Sequence, residues 1–181
     1  MKTFLRYGLA AATLLATSAG AFALSKSDAA PVDLRTQIET RMRTVLEQAD
    51  PGQHQHAGHA VQPSAGAARP AVVCGVRVYG HEPAAATALD EVRTVYGFHL
   101  CGVAEQQRPW DVAVKLAGPL ILDMTTDPPG IEVVEATAEV KYVDRVWQRF
   151  PPRYAEVALA EALSAEQMAD LRERYDDAAG L

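Results

Sequence analysis

The stretch VVCGVRVYGHEPAAATALDEVRTVYGFHLCGV, Val72 to Val103, decides the fold. In its first part Val72, Cys74, Val76 and Val78 alternate with Val73, Gly75, Arg77 and Tyr79. Alternation at period two is the pattern of a strand with one buried face. Gly80 predicts the end of that strand. From Pro83, Leu89, Val92 and Val95 or Tyr96 recur at helical spacing with Asp90, Glu91 and Arg93 between them, which predicts a helix closed by Gly97. Phe98 to Val103 then reads as a second strand.

Downstream, Asp111 to Leu116 alternates again, Gly118 and Pro119 interrupt the pattern, and Leu120 to Met124 resumes it. Asp127, Pro128, Pro129 and Gly130 form a turn signal before the strand Ile131 to Val134, so a hairpin is expected there. Val140, Val143, Val146 or Trp147, and Phe150 return to helical spacing, and Pro151 and Pro152 stop that helix. Tyr154, Val157 and Leu159 mark a further short helix, and Ser164 with Gln167 forms a capping box ahead of Met168, Leu171 and Tyr175. Residues 72–152 are expected to form the core and residues 153–181 a set of C-terminal helices. Strands and helices follow each other without the regular alternation of a doubly wound sheet, so the class is α+β, a small antiparallel sheet packed by helices.

Upstream, residues 24–50 contain one amphipathic helix, in which Leu34, Ile38, Met42, Val45 and Leu46 form the apolar stripe. Residues 51–71 are almost entirely Ala, Gly, Gln, His, Pro and Ser, the composition of a flexible linker. Residues 1–23 read as a signal peptide: Lys2 and Arg6 precede an uncharged Leu- and Ala-rich run that closes on Ala21, Phe22 and Ala23. The polar and glycine residues Gly8, Thr13, Thr17, Ser18 and Gly20 dilute that run and favour cleavage over retention as an anchor. The expected location is secreted or extracellular, including association with the cell envelope.

Loss of Lys2 and Arg6 takes the formal charge from -6 to -8. A mature chain this acidic, with no basic block, is not expected to bind nucleic acid, nor to associate with membrane after cleavage. Cys74 and Cys101 are the only cysteines, an even count in a chain read as exported, and a disulfide between them is the favoured reading. A metal site would need further ligands nearby, and a redox pair has its cysteines two residues apart.

His54, His56 and His59 give an H-x-H-x-x-H cluster that offers three imidazoles to a weakly held Zn, Cu or Ni ion. The competing reading is a solvated linker, and no other cofactor is expected. His81 and His99 in the core, with Asp123 or Asp127, are the candidates for acid–base or metal-dependent hydrolysis. The inventory limits that chemistry: no Ser lies between Val72 and Pro152, and the chain has no Asn. A Ser-His-Asp site within the core and a Cys-His-Asn site are thereby excluded. Among the large aromatics, Trp147 and Phe150 lie three apart on one helix and are expected in the core, whereas Trp110 follows Pro109 in a polar loop and is the expected contact surface.

Cys74, Gly80 with Pro83, Tyr96 with Cys101, and Tyr142 with Phe150 and Pro151 together resemble a group of small exported proteins of high-GC Gram-positive bacteria. The resemblance covers under half of the chain. It implies secretion and the disulfide, and it implies no activity. The sequence therefore leads to an exported non-catalytic domain that binds a protein, peptide or cell-envelope component, with a small His- and Asp-dependent hydrolase as the alternative.

Overall fold

The computed structural model describes residues 32–49 and 70–181. The expected signal peptide and the histidines His54, His56 and His59 lie outside the described residues. The architecture is α+β: four antiparallel strands in the order β1-β2-β3-β4, with helices on both faces. The strands are β1 (Ala71–Glu82), β2 (Thr94–Ala104), β3 (Lys115–Asp123) and β4 (Gly130–Val133). The helices are α1 (Leu34–Gln48), α2 (Tyr142–Arg149), α3 (Pro152–Ala160) and α4 (Ala165–Ala179).

Alternation along the strands sorts the side chains onto two faces. Cys74, Val76 and Val78 of β1, Val95 and Cys101 of β2, and Leu120 and Leu122 of β3 point toward α1 and pack with Ile38, Met42, Val45 and Leu46. The amphipathic helix read upstream of the linker is thus part of the core. Asp33 caps it by accepting from the Thr36 N–H, a bond that holds the Asp33 carboxyl below its ordinary range. The opposite face is covered at one end by α4, whose Leu171, Tyr175 and Ala179 pack with Val73 and Trp110. At the other end α2 and α3 bury Val146, Phe150, Ala155 and Ala158 around Val134, with Tyr79, Tyr96 and Ile121 beneath them. The capping box of Ser164 and Gln167 starts α4, and Gly180 ends it at a φ of 71°, where a side chain is disfavoured.

The segment expected to be a helix from Pro83 to Gly97 instead completes a long hairpin. Only Leu89–Glu91 forms a single 3-10 turn, and β2 begins at Thr94. Thr94, Val95 and Tyr96 are β-branched or aromatic and pair along β1, so tertiary pairing overrides the helical spacing of Leu89, Val92 and Val95. Gly97 is a strand residue: a Cβ there would lie 2.5 Å from the Arg77 carbonyl oxygen and 3.0 Å from Met42 Cε. Gly80 likewise does not stop β1. It sits beside a register irregularity and leaves room for the Tyr154 ring.

The two apolar runs around Gly118 and Pro119 also merge, into the single strand β3. Pro119 is tolerated because β4 is short. The Val134 N–H reaches the Pro119 carbonyl at 2.9 Å, so the nitrogen of Pro119 points to that same side, past the end of β4. The hairpin expected around Asp127 to Gly130 is present, joining β3 to β4.

Cys74 and Cys101 are direct cross-strand partners and form the disulfide, with Cα atoms 4.0 Å apart. The outward-facing edge of β1 at this point is closed by side chains from both helical layers. Cys74 N–H donates to Glu47 Oε1 at 3.0 Å, and Arg174 donates to the Cys74 carbonyl at 2.9 Å and to Glu47 at 3.2 Å. Gln167 and Arg35 donate to the carbonyls of Val76 and Val78 at 3.0 and 2.7 Å. An edge strand otherwise offers unpaired backbone groups to other chains, and here the helices occupy them. Replacing Arg174 by Leu is expected to cost about 2 kcal/mol, since it removes charge-assisted bonds to a partly buried carboxylate and a carbonyl. Urea unfolding of the variant checks the figure.

Candidate functional site

The residues singled out for catalysis are held apart by the sheet. His99 pairs with Val76 and so lies on the α1 side, where its ring is buried and Nδ1 is 2.9 Å from the Gly118 carbonyl. Gly118 is five positions from Asp123 on β3, about 17 Å along a strand. Asp123 pairs with Thr94 and points to the other face, next to Leu122, which faces α1. Its carboxylate accepts from the backbone and hydroxyl of Thr125, and these bonds lower its pKa. His81 pairs with Val95 on the α1 side, and its Nε2 is buried without a hydrogen-bond partner. Asp127 opens the exposed β3–β4 turn. No His–Asp hydrogen bond forms among these four residues, so the geometry does not assemble the acid–base pair. Among the described residues, no group of three or more His, Cys, Asp and Glu side chains is placed to hold a metal ion.

Phe150 is buried as expected, but the assignments of the two tryptophans are reversed. Trp110 is not a contact surface: it is 7% exposed and stacks edge-on against Tyr175, with ring centroids 5.1 Å apart at 83°. Its polar neighbours hide this in the sequence. The turn Trp110–Val112 folds the ring over β2, where Gly102 makes room, since a Cβ there would lie 2.8 Å from Trp110 Cζ3. Lys115 closes the outside, with Nζ 5.1 Å from the ring centroid.

Trp147, expected in the core, is 44% exposed. The inward stripe of α2 is set by Val146 and Phe150, four apart, and the position one residue beyond Val146 is rotated about 100° away from it. Val143 and Trp147, also four apart, form an outward stripe with Tyr142 alongside, at 49%, 44% and 37% exposure. This is a convex apolar ridge on a two-turn helix. Its base is packed on the sheet, where Phe150 and Tyr154 lie against Tyr96 at centroid distances of 5.4 and 5.1 Å. Arg149, at the end of α2, is tied to Glu132 of β4 through Nε at 2.6 Å. Tyr79, near Tyr142, donates its hydroxyl to the Glu161 carbonyl, and burial raises its pKa so that it stays a donor.

A second surface feature is an open groove of about 510 Å3 between α1 and the β1–β2 connection. Gln37 and Arg41 form one wall, Ala88 to Asp90 the other, and Leu89, Val92 and Met124 the apolar part. It lies on the α1 face, away from α2.

Among the described residues, no helix is long and apolar enough to cross a membrane. No protein-family model, curated protein or solved structure matches the chain, so the reading of function rests on these surfaces.

Proposed function

We propose that the chain is an exported, non-catalytic domain that recognises a protein partner through the Tyr142, Val143 and Trp147 ridge of α2. The observation that carries the reading is the exposure of these three large side chains together on a helix whose opposite side is anchored in the core. A convex ridge cannot enclose a small molecule, which needs a concave site. It can fill a recess in a partner, and exposed Trp and Tyr are the residue types most often found at the centre of such contacts. Export is supported by the Lys2 to Ala23 pattern, by the disulfide and by the resemblance carried by Cys74, Tyr96 and Cys101.

The test is retention of a partner from culture fluid or envelope extract by the immobilised mature chain. The wild type is expected to retain one, and a Val143→Asp, Trp147→Ala variant to lose it with its melting temperature nearly unchanged. Equal retention by the variant, or none by the wild type, contradicts the reading.

A further inference from the structure

We propose that the groove between α1 and the β1–β2 connection binds a small zwitterion with an aliphatic side chain, of the free amino acid class. The two charged residues that line it stand on opposite walls: Arg41 on α1 and Asp90 in the 3-10 turn. Neither side chain makes an ion pair or hydrogen bond among the described residues. The carboxylate next to Asp90 is already committed, since Glu91 accepts from the N–H groups of Thr87 and Ala88 at 2.7 and 3.4 Å. Gln37 is held by its Nε2 bond to the Val32 carbonyl at 2.6 Å, which leaves its amide oxygen as a further acceptor.

The combination selects against simpler ligands. An inorganic anion would meet Asp90 as well as Arg41. A metal cation would find one carboxylate and a guanidinium, which is not a ligand set. A ligand carrying both charges satisfies both walls, its carboxylate on the Arg41 guanidinium and its ammonium on Asp90. Its aliphatic part then covers Leu89, Val92 and Met124, of which Val92 is almost fully buried already. The groove is open and both charges are hydrated, so the affinity belongs in the millimolar range, on the order of 1 mM.

Leucine is the probe, titrated into the isotope-labelled mature chain and followed by NMR chemical shifts. Saturable shifts are expected at the amides of residues 37–41, 88–92 and 124. N-acetylleucine and leucinamide each lack one of the two charges and are expected to bind about tenfold more weakly or worse. Arg41→Gln and Asp90→Asn should each cause a loss of the same size, while Trp147→Ala leaves leucine binding unchanged. No saturable shift at about 10 mM leucine overturns the proposal. So does equal binding of the two derivatives, or binding that survives both groove substitutions. None of these results bears on the α2 ridge, which lies on the other face of the sheet.

Discussion

Replacing Cys74 and Cys101 together by Ala is expected to lower the unfolding free energy by about 3.5 kcal/mol, because the bond closes a separation of 27 residues and restricts the unfolded chain accordingly. The loss is a large fraction of what a domain of this size has to spare. Both sulfurs are buried in the core beneath α1, so the substitution also removes packing there. The melting temperature is expected to fall by roughly 10 °C. The same change should appear on reduction of the native chain with a thiol, compared by urea unfolding with and without reductant. The denaturant slope should rise, since the unlinked chain exposes more surface when it unfolds. An unfolding free energy that is the same in the oxidised and reduced states contradicts this account of the hairpin.

Trp110→Ala is the second large effect, a loss of about 3–5 kcal/mol. Trp110 fills the space over Gly102 and packs against Tyr175, whose hydroxyl donates to the Arg108 carbonyl at 2.9 Å. Truncation empties the centre of the cluster that joins α4 to the sheet. Trp147→Ala removes a side chain of the same kind and is expected to change stability by no more than about 0.5 kcal/mol. Parallel urea titrations of the two variants measure the contrast directly. Equal destabilisation would show that the two tryptophans are not divided between core and surface as described.

The sequence conceals this division for a physical reason. Spacing along α2 identifies an apolar side chain but not which of two adjacent stripes is buried. Val146 with Phe150 and Val143 with Trp147 are both four apart, and only the position of Val134 and Ala155 decides between them. Trp110 has the opposite history. Its neighbours Arg108, Pro109 and Asp111 are polar or turn-forming, and its burial depends on Gly102 and Tyr175, far away in the chain.

Local signals worked where the information is local. The stripe of α1, the turn after Asp127 and the capping box at Ser164 all involve residues within a few positions of one another. They were legible for that reason. The alternation at Val72 to Val78 and the pairing of Cys74 with Cys101 also came through, the latter because an even cysteine count constrains the answer. The glycines misled. Gly80, Gly97 and Gly118 read as stops, yet each lies inside a strand. At Gly80 and Gly97 the missing side chain makes room for Tyr154 and for the Arg77 carbonyl. A glycine that ends an element and one that admits a neighbour are the same letter. The groove was invisible for a similar reason, as Arg41 and Asp90 are 49 positions apart in the sequence. Nothing in either segment alone marks them as opposite walls.

The ridge of α2 carries the functional account, and cross-linking from that position tests it most directly. A photo-reactive phenylalanine placed at 143 of the mature chain should, on irradiation in envelope extract or culture fluid, give a discrete adduct with a partner protein. The same group placed at Glu166, on the exposed side of α4, serves as the comparison. The account predicts an adduct from position 143 that Trp147→Ala abolishes, and none from position 166. Adducts of equal yield from both positions, or none from either, would contradict it.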